Sequence, residues 1–251
     1  GYALQQAEDW WEALAAAVRE ITEGQDKHAV RALGLSTQGG TLQPVDAQGQ
    51  ALCPAISWMD TRAAAQEAEF RTRIGAEQVQ AITGWGMCGG LNALQILWLR
   101  QNRPDVFERA ARFLSVPGYL TQRLTGRAAV DYSSAGVEQL LDVRAGRWSE
   151  PILALLEITP SRLAELVPAQ ENVGELTAEA AEALGLPRHV AVAAGGHDQY
   201  CAVLGAGATG SHDRLIATGT AWATVAVLDS PDAGIPQGAA ISRHVVPDLW
   251  G

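Results

Sequence analysis

Residues 191–208 read AVAAGGHDQYCAVLGAGA, and residues 215–222 follow with LIATGTAW. A short apolar run broken by a Gly-Gly pair reads as a buried strand that ends by delivering one acid, Asp198. The small residues beyond it let the backbone approach something bulky, and Gly219-Thr220 make a turn on the next expected strand. A lone carboxylate beside a Gly-Thr turn suits phosphoryl transfer to a sugar or polyol. The carboxylate takes a proton from a substrate hydroxyl, and the amides of the turn hold phosphate.

Outward from this stretch, strand and helix signals alternate. Residues 7–23 carry Trp11, Leu14, Val18 and Ile21 at helical spacing, with Gly24 as a stop. Residues 30–36 form a short apolar strand. Residues 41–45 and 51–56 flank Asp46-Ala47-Gln48-Gly49 and predict a hairpin. Helices are expected over 61–74, 91–100 and 104–114. Ser149 and Pro151 open another that runs to Glu157, and Thr159 with Pro160 opens a short one. Thr177 begins a helix that Gly185 stops, with Pro187 just past it. Residues 189–194 and 215–228 supply the last strands. The class is therefore α/β, with one hairpin interposed.

Composition narrows the function. The 251 residues suit one large domain or one and a half smaller ones, and 47% hydrophobic with 18% charged residues is ordinary for a globular chain. A formal charge of -10 with scattered Arg and Lys offers no basic stripe for nucleic acid or for a membrane surface. No apolar run approaches the roughly 18 residues of a membrane span. Cys53, Cys88 and Cys201 are odd in number and widely spaced, which favours a reducing cytoplasm over a disulfide framework. The five histidines show no metal-ligand spacing, so no metal site of the chain's own is expected. Eight tryptophans suit a core first and a homodimer second. Motifs of the nucleophile-elbow, P-loop and dinucleotide kinds are missing, so any phosphate cradle is of another type.

Four polar segments could meet. Ser36-Thr37-Gln38-Gly39-Gly40 ends a strand, where ligands bind in open α/β sheets; a plain hairpin entry would look the same. Trp58-Met59-Asp60-Thr61-Arg62 could wall a sugar pocket, or Trp58 could be core and Asp60 a helix cap. Val130-Asp131-Tyr132-Ser133-Ser134 could bind a polyol through Tyr132, or be only a turn. His197-Asp198-Gln199 carries the candidate base, although Asp198 could instead cap a helix over 199–204. His197 reads as a structural histidine.

In order, these pieces resemble the FGGY family of carbohydrate kinases, whose members include xylulokinase and glycerol kinase. The matching segments are AEDWWEALAAAVREI, VRALGLSTQGGTLQPVDAQGQALCPAISWMDTRA, YLTQRLTGRAAVDYSSAGVEQLLDV, VGELTAEAAEALGLP, VAVAAGGHDQYCAVLGAG and ATGTAW. The resemblance implies a ribonuclease H-like, actin-like ATPase fold in which ATP, with Mg²⁺, meets the sugar in a cleft. Residues 1–208 would be the sugar-binding domain and 209–251 the beginning of the ATP-binding domain. Asp198 matches the family's base. Gln38, Gly39, Gly40, Trp58, Asp60, Tyr132 and Gln199 match its substrate side, and Gly219 and Thr220 its second phosphate turn.

There are departures. Glycerol kinase carries Arg-Glu after the Gln of the first segment and xylulokinase Met-His, where this chain has Gly39-Gly40. A wider pocket without charged or imidazole contacts is expected, which favours a pentulose such as xylulose, or a larger polyol, over glycerol. The family's first Asp-x-Gly-Thr loop and its adenine-binding half have no counterpart. The chain is therefore expected to be a fragment with little turnover alone. Two other functions compete: a non-catalytic sugar-binding or regulatory protein of this fold, and an actin-like ATPase with a protein partner. Trp58 and Tyr132 weigh against the second.

Overall fold

The computed structural model describes residues 1–211, 213–218, 222–232 and 238–251. Two sheets organise them. In the first, strand Ala191–His197 runs parallel to Ala32–Thr37, and Asn172–Glu175 pairs antiparallel on its other side. A further parallel pair, Ala129–Asp131 with Glu165–Val167, packs beside the central strand. Alternate residues of Ala191–His197 are buried, which is the period-2 pattern of a strand in a sheet. The expected 189–194 strand thus runs three residues further, through Gly-Gly-His.

That extension depends on glycine. Gly195 has φ +75°, and a Cβ there would fall 1.8 Å from Leu35 O on the neighbouring strand. The parallel register shifts between Ala193 and Gly196 at this point. Only glycine fits such a position, and the bulge re-aims the end of the strand.

In the second sheet the order is Leu4–Gln5, Ala55–Ile56, Leu42–Val45, Arg112–Ser115, all antiparallel. The expected hairpin is there. Asp46 Oδ1 accepts the N–H groups of Gln48 and Gln50, and Gly49 closes the turn at φ +80°.

The helix expected over 104–114 is cut short. It spans Pro104–Arg109, and Arg112–Ser115 is a strand paired with Leu42–Val45. Phe113 and Leu114 are adjacent and both buried. Neighbouring side chains on a strand face opposite ways, so a sheet covered on both faces buries both, at about 1.5–3 kcal/mol each. That gain outweighs the local helical spacing. The helix expected over 61–74 divides into a 3-10 turn, Arg62–Gln66, and helix Glu67–Arg73.

Other helices follow the expected signals. Ala7–Ile21 buries Ala7, Trp11, Ala15 and Val18 and packs on Ala178–Leu184. Thr177 caps the latter by accepting the Ala180 N–H, and Gly185 ends it in a left-handed conformation. Asn92–Asn102 is buried on nearly every face and forms the centre of the helical layer. Glu150–Leu156 starts after Ser149 with Pro151 in its first turn, although the Ser149 hydroxyl makes no cap bond. Arg214–Ala217 and Ala223–Ala226 form the expected antiparallel pair. Among the described residues no helix is long and apolar enough to cross a membrane.

Candidate active site

The carboxyl ends of the two parallel strands, Thr37 and His197, stand opposite each other in register. Segments leaving a parallel sheet at this edge form the crevice where ligands bind in open α/β folds. Ala32–Thr37 leads into Gln38-Gly39-Gly40, and Ala191–His197 leads into helix Asp198–Gly205. His197 occupies the N-cap position and Asp198 the first turn, with no side-chain cap bond. Asp198 therefore does not cap this helix with its carboxylate. Its side chain is 48% exposed, and the helix N-terminus favours its negative charge.

A buried relay fixes the strand end from below. Asp131 caps helix Tyr132–Val137 by accepting the N–H groups of Ser133 and Ser134 at 2.7 and 3.1 Å. Ser133 Oγ donates to Asp131 Oδ2 at 2.5 Å and accepts the His197 N–H at 3.0 Å. Burial pushes the Asp131 carboxyl above its usual range, against the lowering hydrogen bonds from Ser133 and Ser134. The residue before Asp198 is thus held from 64 positions away. Ser133→Ala would leave the His197 N–H and Asp131 Oδ2 short of a partner. A loss of about 1–3 kcal/mol in denaturant unfolding is expected. An unchanged midpoint would show that the hydroxyl carries none of the order here.

Gly39 and Gly40 are glycines because the space beside them is taken. A Cβ at position 39 would fall 2.8 Å from His197 Cδ2, 3.1 Å from its Nε2 and 3.0 Å from Val137 Cγ1. Gly40 has φ +70°, and a Cβ there would meet Leu91 Cδ2 at 2.7 Å and Trp58 Cβ at 3.2 Å. The widening expected from the Gly-Gly pair is therefore not found: an imidazole, an indole stem and two aliphatic side chains fill it. Trp58 stands beside this pair with 47% exposure, and its N–H donates to Thr41 Oγ1 at 3.3 Å. A half-exposed indole offers an apolar face to a sugar ring. Gln38 Nε2 donates to Gln5 Oε1 at 2.7 Å, an acceptor shared with Trp10 Nε1.

Two of the expected residues are placed differently. Asp60 is fully buried, and its oxygens accept the Arg62 side chain, the Arg62 N–H and the Ala3 N–H at 2.6–2.9 Å. Burial works to raise its carboxyl, yet the bonds from Arg62 and Ala3 hold it below the usual range. The alternative, Asp60 as cap of the following helix, is not met either: Thr61 holds the N-cap position, and Asp60 instead anchors Arg62 and Ala3. Among the described residues, Tyr132 lines a cavity of about 290 Å³ with Asp131, Arg243, His244 and Trp250, and not with Gln38, Trp58 or Asp198. Its ring stacks on the Arg243 guanidinium at 5.2 Å.

Gln199 lines a larger cavity of about 580 Å³ with Trp85, His197, Tyr200 and Ile241, and its Oε1 has no partner among the described residues. Gly219 and Thr220 lie outside the described residues. Among the described residues no three His, Cys, Asp or Glu side chains gather around a metal site. Sequence reasoning missed Ser133 as a tether and His197 as a neighbour of Gly39. The Asp-x-Ser spacing after a strand was a signal for the first; nothing local announces the second.

A family model described as the N-terminal domain of the FGGY family of carbohydrate kinases matches residues 1–205. Among curated relatives, a xylulose kinase of Escherichia coli is 31% identical over 252 residues, covering 98% of this chain and 50% of that protein. An L-fuculokinase of Escherichia coli is 34% identical over 202 residues, covering 80% and 43%. The crystal structure of xylulose kinase from Rhodospirillum rubrum superimposes with a TM-score of 0.92 at 26% identity, covering 100% of this chain and 52% of that one. The chain spans about half the length of the curated relatives it matches.

Proposed function

The chain belongs to the FGGY family of carbohydrate kinases, with the actin-like α/β fold of that family, and on that premise we propose that the protein containing it phosphorylates a hydroxyl of a sugar or polyol from ATP. A pentulose such as xylulose is the first candidate. One observation carries the reading: Asp198 is a half-exposed carboxylate at the carboxyl end of a parallel strand, one residue after the His197 whose ring fills the space beside Gly39.

The chain's own residues supply the acceptor side. Trp58 stacks on the sugar, and Gln38 and Gln199 offer amide groups to its hydroxyls. Asp198 accepts the proton of the attacking hydroxyl as the bond to phosphorus forms. Its place in the first helical turn, just past the strand end, orients it for that task. Asp60 serves from behind by anchoring the Trp58 loop through Arg62 and Ala3. Residues 1–208 form the sugar side in this reading, and residues 209–251 begin the ATP side, where Gly219 and Thr220 hold phosphate. Magnesium that enters with ATP is held by phosphates, water and one or two carboxylates. Bound Mg-ATP supplies the phosphoryl group and neutralises its charge. Packing around the site would exclude water and so limit ATP hydrolysis.

The test is ADP release by the full-length protein with Mg-ATP across ketopentoses, 6-deoxyketohexoses, pentitols, tetritols and glycerol. Turnover is expected on a ketose and not on glycerol. Sugar binding without sugar-dependent ADP would replace this reading with a non-catalytic sugar-binding protein of the same fold.

A further inference from the structure

His197 is 13% exposed at its side chain, and three contacts hold it. Its N–H donates to Ser133 Oγ, its ring edge meets Tyr200 with centroids 6.0 Å apart, and its Cδ2 occupies the space of an absent side chain at position 39. Nε2 lies 3.5 Å from Asp198 Oδ1, while Nδ1 is buried with no partner among the described residues. A neutral imidazole carries one N–H, and the nitrogen that meets a carboxylate is where that proton belongs. A buried acceptor without a partner costs less than a buried N–H donor without one. The geometry therefore selects the Nε2–H tautomer.

We infer that His197 is a positioning residue for Asp198: seated in the space Gly39 leaves open, it turns Nε2–H toward Oδ1 and leaves Oδ2 to receive the substrate proton. The contact is longer than a formed hydrogen bond, as such contacts commonly are before substrate closes the site. The sequence predicts a site without an imidazole at positions 39–40; the fold returns one from position 197. Glycine at 39 and histidine at 197 then form one device, which rests on the kinase reading for its effect on rate.

A double-mutant cycle in the full-length protein tests it. His197→Leu is expected to lower kcat on the order of tenfold with sugar KM within about twofold, because orientation and not binding is lost. His197→Gln, whose amide N–H reaches the same place, should recover most of that loss. Gly39→Ala should displace the ring and lower kcat similarly, and Gly39→Ala with His197→Leu should cost no more than His197→Leu alone. Native kcat in His197→Leu, or additive losses in the double variant, would overturn the inference.

A readout independent of turnover separates this from the kinase reading. Nitrogen-15 correlation spectra of the imidazole should show the Nε2–H tautomer. Burial lowers the pKa of His197, while Asp198 and Asp131 raise it; Tyr200, backed by His244, is a further titratable neighbour among the described residues. Asp198→Asn should therefore lower the His197 pKa further. An Nδ1–H tautomer, or a titration unmoved by Asp198→Asn, would sink the pairing even if the enzyme is a kinase. With no turnover on any sugar, the kinase reading fails and the spectra alone decide the pairing.

Discussion

Asp198→Asn in the full-length protein lowers kcat by about 10²–10⁴-fold, the range that a positioned general base contributes, while sugar KM changes little. Asparagine keeps the shape of the side chain and removes its capacity to take a proton. The fold should not notice. Asp198 makes no cap bond and is half exposed, so the change in unfolding free energy should stay within about 0.5 kcal/mol. Steady-state ADP release and a denaturant titration, run on the same preparation, separate the two effects. Near-native turnover would remove Asp198 from the role of base, and a large loss of stability would make any rate change uninterpretable as chemistry.

Glu138→Gln stabilises the protein above neutral pH and not below about pH 5. Glu138 follows helix Tyr132–Val137, is 3% exposed, and its Oε1 has no partner among the described residues. Burial pushes its carboxyl up to about 8 from the usual 4.5; the Ser115 hydroxyl opposes this and the nearby Asp131 charge adds to it. The folded chain keeps the proton across that window, and the unfolded chain releases it. Fewer protons are bound in the unfolded state, so stability is full below about 4.5 and falls as pH rises toward 8. Each pKa unit is worth about 1.4 kcal/mol, which puts the total at a few kcal/mol. Glutamine stays neutral at every pH and removes the fall. Unfolding midpoints at pH 5 and pH 8 test this: the variant should gain at pH 8 alone. An equal offset at both values would mean that Glu138 is already ionised in the folded protein.

Much of the site was legible because its signals are local. Asp198 was readable as the acid at a strand end because an apolar run, a Gly-Gly break and an acid fall within eight residues of one another. The Thr177 cap, its Gly185 stop and the Asp46–Gly49 turn were readable for the same reason: one side chain satisfies backbone groups two to four residues away. The resemblance to sugar kinases rested on several such segments in order, and the family match and the superposition bear it out.

What spacing alone left undecided is what distant segments do to one another. The 104–114 helix lost its last turn to a strand partner about 70 positions earlier in the chain. Asp60 could be pocket wall or helix cap by its spacing; Ala3 and Arg62, which take up both its oxygens, make it an anchor instead. Gly39 predicted empty space, and His197, 158 positions on, fills it. Local hydrogen bonding and side-chain periodicity are settled within a turn or two of chain, so the sequence by itself determined most of the elements, the acid at the strand end and the family. Which volume is occupied, and by which side chain, depends on close packing between elements, and only the tertiary structure decided that.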